Sequence, residues 1–273
     1  MTYCKKNAKI CSMKKVLNVI VKQPINGIAV IKLNEPSTYN ALSTKMLKVL
    51  ISAFKNFNKD YKTKVIIIEG AGKGFSAGHS LKEIRKIKSK SNYQKLFNLC
   101  SKLMLEIVEG KKPVIAKVHG AAFAAGCQLV ASCDMAISSE KAIFATPGVN
   151  IGLFCSTPMV AVSRNVCRKK VMKMLLTGDY INAKHAKEIG LINDYYPISK
   201  LDNEVLKIAK KIASKSNLTI RIGKRAFYKQ LEMPLSKAYK YTSKVMTENM
   251  MKFDAKEGVS AFLEKRSPIW KNK

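Results

Sequence analysis

The chain is short of the side chains that usually mark a site. Three histidines, His79, His119 and His185, occur in 273 residues, none at metal-ligand spacing, so a zinc centre has no ligand set. The seven cysteines are odd in number, include no Cys-x-x-Cys pair and lie mostly among apolar neighbours. They read as reduced, buried small hydrophobes rather than a disulfide framework. No apolar run approaches the roughly 20 residues that span a bilayer. Val16–Val21 is too short for a secretory signal core, and no small-residue cleavage site follows it. Acidic residues are scarce as well, 18 against 50 basic ones, for a formal net charge of +32. Such a charge points towards polyanions, but only Arg85, Arg164, Arg168, Arg221, Arg225 and Arg266 are arginines. Arginine is the side chain suited to bidentate phosphate and base recognition. The lysines are spread along the chain between apolar positions, which argues against a specific nucleic-acid site. A diffuse basic surface would still attract a polyphosphate ligand.

What is present is a core. Hydrophobic residues make up 47% of the chain, ordinary for a folded domain. Residues 1–15 are basic and aperiodic and read as an N-terminal arm; their lack of arginine counts against a mitochondrial transit peptide. Gly27–Leu33 reads as a strand and Pro36–Asn40 as a turn. Ser43 is placed to cap a helix whose apolar face is Met46, Leu50, Phe54 and Phe57. Val65–Ile68 is a continuous β-branched run, the mark of a strand buried on both faces, and a glycine-rich loop, Gly70–Gly78, follows. Asn92–Glu109 has helical period, Val114–Val118 reads as another buried strand, Ala121–Cys133 as a helix of small residues and Met135–Ser138 as a strand. Beyond about residue 157 the pattern is helical, with breaks near Asn182, Pro197, Asn217 and Pro234. The organisation expected is an α/β core over residues 16–200 and a helical region over 201–273.

Two readings compete for the chemistry. Gly74-Phe75-Ser76-Ala77-Gly78 matches the Gly-x-Ser-x-Gly elbow of serine hydrolases, with Asp134 or Asp179 and then His185 following in hydrolase order. An elbow needs a tight strand-to-helix turn, however, and five glycine-rich residues separate Glu69 from Phe75. The alternative is a backbone site. Amides freed by small residues in this loop, facing the Gly120–Gly126 segment at a helix start, can form an oxyanion hole.

Ordered blocks along the chain resemble the crotonase superfamily, the enoyl-CoA hydratase/isomerase family, from about Leu17 to Trp270. They include Leu33-Asn34-Glu35-Pro36 with Asn40-Ala41-Leu42, Phe75-Ser76-Ala77-Gly78-His79-Ser80-Leu81, Pro113–Gly120 leading to Ala125-Gly126-Cys127-Gln128-Leu129, and Cys133-Asp134. Phe144-Ala145-Thr146-Pro147, Leu175-Leu176-Thr177-Gly178 and Phe262-Leu263-Glu264-Lys265-Arg266 complete the set. The resemblance implies a spiral of ββα turns and a helical C-terminal trimerisation region, with apolar faces such as Val171, Met174 and Leu175, giving homotrimers or hexamers. It implies an acyl-CoA ligand, coenzyme A being part of the substrate and no separate cofactor or metal being needed. The thioester oxygen would meet the amides of His79 and Ala125, with Ser80, Leu81 and Lys82 beside the ligand. No membrane span is expected, and the cytoplasm is the expected compartment, with the mitochondrial matrix as alternative.

The chain departs from that family where hydratases carry two glutamates. One position is Gln128 and the other Gly148, and neither side chain transfers a proton near neutral pH. General acid–base help is worth about 10²–10⁴ in rate per group, so hydration is expected to be weak or absent. Restoring both carboxylates is expected to install some. Cys155 and Ser156 are the candidate substitutes, while Glu83 reads as part of a solvated helix. A binding or regulatory protein that kept the hole and lost the carboxylates is the alternative function.

Overall fold

The computed structural model describes residues 14–16 and 18–273. Most of the stretch expected as an arm therefore lies outside the described residues, but Lys14 and Lys15 belong to a strand. Strands β1 (Lys14–Val16), β2 (Val19–Ile25) and β3 (Ile28–Leu33) pair antiparallel. The β2–β3 hairpin turns on Asn26 and Gly27, at φ 53° and 82°, the left-handed pair that a two-residue turn of this hand requires. Helix α1 (Thr44–Lys59) follows. Ser43 caps it as expected, its hydroxyl accepting from the Met46 amide at 3.2 Å, and Met46, Leu50, Phe54 and Phe57 are all buried.

Three turns of one form come next. The first comprises β4 (Val65–Gly70), β5 (Gly74–Ser76), α2 (Leu81–Lys86) and α3 (Lys90–Val108). The second comprises β6 (Val114–Val118), β7 (Ala121–Phe123) and α4 (Ala125–Ser132), and the third β8 (Met135–Ser139), β9 (Ile143–Ala145) and α5 (Ser156–Val162). Helix α6 (Arg168–Thr177), β10 (Ile181–Asn182), α7 (Ala183–Glu188) and β11 (Asp194–Tyr196) complete the core. The first strand of each turn joins a seven-stranded sheet, β1-β2-β3-β4-β6-β8-β11, and the second joins a four-stranded sheet, β10-β9-β7-β5. This is the expected spiral of ββα turns.

Three expectations are corrected. The Gly70–Gly78 loop contains β5, the presumed helix from Ala121 begins as β7, and the helical stretch after residue 157 is interrupted by β10 and β11. All four strands are two or three residues long, too short to show a two-residue period.

Strand β4 explains the burial. Ile66 and Ile68 join the main core with α1, α3 and α4, while Val65 and Ile67 point to the opposite face with Ile28, Ile115 and Ile137. That opposite face is covered by α8 (Ile198–Ala213), through Leu201, Val205, Ala209 and Ala213. Helices α9 (Asn217–Leu231), α10 (Leu235–Met250) and α11 (Phe253–Leu263) bury little of their own surface. Val171, Met174 and Leu175, expected on an assembly face, are instead buried inside the subunit. Spacing shows that a helix has an apolar stripe, not which body covers it. Among the described residues no helix is long and apolar enough to cross a membrane.

Candidate active site

Strands β5, β7 and β9 run parallel, so their carboxyl ends open at one edge of the small sheet. Such an edge is where parallel α/β sheets bind ligands. Gly78-His79 follows β5, Ala124-Ala125 follows β7, and Thr146-Pro147-Gly148 follows β9.

The first two segments touch. A Cβ on Gly78, which sits at φ 87°, would lie 2.8 Å from the Phe123 carbonyl and 3.0 Å from the Ala125 nitrogen. A Cβ on Gly126 would fall 2.2 Å from the Ser76 carbonyl oxygen. Glycine is thus required at both places by backbone approach, and the pairing of small-residue segments read from the sequence is a physical contact. Ala124 takes φ 48° and ψ −116°, a conformation costly for any residue with a Cβ. It turns the chain from β7 into α4, and Ala125 becomes the first residue of that helix. Among the described residues neither the His79 nor the Ala125 amide donates to a protein acceptor.

His79 is pinned from the other side. Its Nδ1 lies 3.3 Å from the Leu42 carbonyl, and Leu42 pairs with His79 in an isolated parallel bridge. The ring meets Phe97 edge-on at 5.5 Å between centroids. Burial holds the imidazole below its usual pKa, only partly opposed by the Leu42 carbonyl and by Glu83. The remaining nitrogen, Nε2, is buried without a hydrogen-bond partner, as is the Thr146 hydroxyl oxygen. No sequence signal marked either atom.

Ser80 is half-buried and caps α2 by accepting from the Glu83 amide, 3.3 Å away. Leu81 and Lys82 are exposed at the start of that helix. Glu83, expected to be solvated, is half-buried, and its carboxylate accepts from the Thr44 amide at 2.9 Å. The acidic group is thereby spent on the N-terminus of α1, where the helix dipole favours it.

The two hydratase positions differ in kind. Gln128 is buried in α4, and its Oε1 accepts from the Cys100 thiol at 3.9 Å. Burial pushes that thiol up to about 12, so it stays protonated. Gly148 has no room: a Cβ there would sit 2.1 Å from the Leu153 carbonyl oxygen and 2.8 Å from the Cys155 sulfur. A 2.9 Å bond from the Leu153 amide to the Gly148 carbonyl closes this turn. The obstacle to a glutamate at 148 is therefore the Leu153 carbonyl and the Cys155 sulfur rather than a positive φ, which Gly148 does not have. Cys155 is buried and its thiol raised by desolvation despite a hydrogen bond from the Gly148 amide. Ser156 is exposed and its hydroxyl donates to the Phe154 carbonyl at 3.4 Å.

Ser76 is not brought into contact with the aspartate and histidine of the serine-hydrolase reading. Ser76 is buried, donating to the Asn40 carbonyl at 2.9 Å. Asp134 accepts from Lys224 Nζ at 2.7 Å, Tyr228 Oη at 3.0 Å and the Val114 amide at 2.7 Å. His185 contacts Glu188 and, with Asp179, Lys170 and Lys173, lines a separate surface pocket of about 460 Å³.

A family model described as enoyl-CoA hydratase/isomerase matches residues 24–273. The chain belongs to the enoyl-CoA hydratase/isomerase family. It is 48% identical over 246 residues to human enoyl-CoA hydratase domain-containing protein 3, mitochondrial, covering 90% of this chain and 81% of that protein. The crystal structure of the human domain-containing protein 3 superposes with a TM-score of 0.90 at 46% identity, over 93% of this chain and all of that one. An enoyl-CoA hydratase from Mycobacterium smegmatis superposes with a TM-score of 0.91 at 45% identity, over 93% and 98% of the two chains.

Proposed function

We propose that this protein binds an acyl-CoA thioester and polarises its carbonyl between the amides of His79 and Ala125. The supporting observation is that these amides, on two segments packed together at the ends of β5 and β7, have no protein acceptor among the described residues. Two such donors stabilise the negative charge that develops when a thioester carbonyl enolises or is attacked. Coenzyme A arrives with the substrate and no further cofactor is required. In this reading Ser80, Leu81 and Lys82 lie beside the ligand, and the net charge of +32 favours capture of a polyphosphate tail. Assembly as a homotrimer or hexamer belongs to the same reading. The mitochondrial designation of the human relative supports the mitochondrial matrix over the cytoplasm.

Hydration of a 2-enoyl-CoA is not the activity favoured. Gln128 offers no proton, and the turn over Gly148 fills the place of the second carboxylate. That obstruction favours, as a second reading, a protein that binds acyl-CoA without turning it over. Titration calorimetry with butyryl-CoA and with free coenzyme A, followed by a structure of the complex, tests the proposal. Butyryl-CoA is expected to bind more tightly than coenzyme A, its thioester oxygen about 2.7–3.1 Å from both nitrogens. A thioester lying elsewhere overturns the reading.

A further inference from the structure

Asp179 and His185 do not serve Ser76, but they line a pocket of about 460 Å³ with Lys170, Lys173 and Tyr180. Small-molecule sites run from roughly 300 to 1,000 Å³, so the pocket has room for a ligand. Helix α6 supplies one wall, and the chain from Asp179 through β10 into α7 supplies the other. Met174 and Ile181 add apolar surface between them.

The charged groups of the pocket are of both signs. His185 has Glu188 beside it. Among the described residues Lys170, Lys173 and Asp179 have no ion-pair partner. Lys170 and Lys173 lie one turn apart on α6, near enough to share one anion. The Asp179 carboxylate offers only acceptors. Its place is set by Gly178, at φ 67°, and by the Asp179 amide, which donates to the Thr177 hydroxyl at 3.2 Å. Tyr180 is 62% exposed although its ring packs 5.0 Å from that of Phe123. At about 100° per residue, Lys170, Lys173 and Thr177 share one stripe of α6, and the exposed Met172 and Leu176 form another. The pocket thus opens to one side of the apolar stripe that an assembly would cover.

A ligand that answers all of these groups carries at least two negative charges, a flat ring and a hydroxyl or amino donor. Inorganic phosphate would meet the lysines alone, and a fatty-acid anion would leave Asp179 facing a hydrocarbon chain. We propose that this pocket is a second ligand site, which takes a nucleoside diphosphate. Lys170 and Lys173 hold the phosphates, the base lies on the Tyr180 ring, and a ribose hydroxyl donates to Asp179. The proposal uses none of the residues of the oxyanion reading and stands or falls apart from it.

The test is titration calorimetry of the whole chain with ADP, with pyrophosphate and adenosine as the two halves of that ligand. ADP is expected to bind at least about tenfold more tightly than either half. Lys170→Gln/Lys173→Gln is expected to weaken ADP by about tenfold or more, since two charge-assisted contacts are lost. Tyr180→Leu is expected to weaken it by about tenfold through the loss of stacking. All three positions are exposed, and melting curves of the variants confirm that they fold. Absence of ADP binding overturns the proposal, as does an affinity that the lysine variant leaves unchanged. Equal affinity for ADP and pyrophosphate reduces the pocket to a charged surface and overturns it too. Coenzyme A also ends in an adenine nucleotide, so the ADP titration is repeated with butyryl-CoA present. ADP affinity within about threefold of its original value supports a separate site. Displacement by butyryl-CoA puts ADP in the acyl-CoA site and overturns the proposal.

Discussion

Ala124 is strained because the chain must turn sharply where β7 ends and present the next amide at the start of α4. Strain of this kind costs about 1–3 kcal/mol, and glycine gives back about 0.5–1 kcal/mol through its freer unfolded chain. Ala124→Gly is therefore expected to stabilise the protein by roughly 1 kcal/mol, a rise in melting temperature of about 2–4 °C. A lower melting temperature would show that the alanine sits without strain. Gly148 carries the opposite constraint. Gly148→Glu must displace the Leu153 carbonyl, and overpacking typically costs about 1–3 kcal/mol. The variant Gln128→Glu/Gly148→Glu is accordingly expected to hydrate crotonyl-CoA no faster than Gln128→Glu alone. Faster loss of enoyl absorbance in the double variant would mean that the 148–155 turn yields more easily than its packing implies.

Among the elements, α9 reaches Asp134 of the core through two side chains, Lys224 and Tyr228. Lys224 Nζ reaches Asp134 at 2.7 Å, the Ile107 carbonyl at 2.8 Å and the Lys112 carbonyl at 2.9 Å. Lys224→Met removes the cation and leaves the Asp134 carboxylate short of its counter-charge, which is expected to cost about 3 kcal/mol in urea denaturation. Lys224→Met/Asp134→Asn is expected to recover part of that loss. A single-variant cost under about 1 kcal/mol would show that α9 is held by other contacts. The same scale explains the missed strands. Helix α1 announces itself through a cap and four apolar positions at helical spacing, whereas β5, β7 and β9 have three residues each and are defined by the neighbours they pair with.

For the whole molecule, the unsatisfied feature is exposed apolar surface. Met159, Val160, Met172 and Leu176 on α5 and α6, and Tyr239, Met246, Phe262 and Leu263 on α10 and α11, are more than a third exposed. Exposed apolar side chains on these helices are the ones the proposed assembly would cover. Light scattering is expected to give three or six times the chain mass of 30.4 kDa; a monomer at micromolar concentration would contradict the assembly.

By itself the sequence determined the α/β class, the buried central strands and the capped first helix, because local spacing and β-branched runs report burial directly. It also determined the two small-residue segments, since only residues without bulk allow backbones to approach within van der Waals contact. The tertiary structure decided what those segments do together. Packing spent Ser76 on the Asn40 carbonyl, separated it from Asp134 and His185, closed the turn over Gly148 and left His79 Nε2 buried and unpaired. Each of these outcomes depends on a partner far away in the chain, and distance along a sequence carries no record of which distant group will occupy a lone pair or a space.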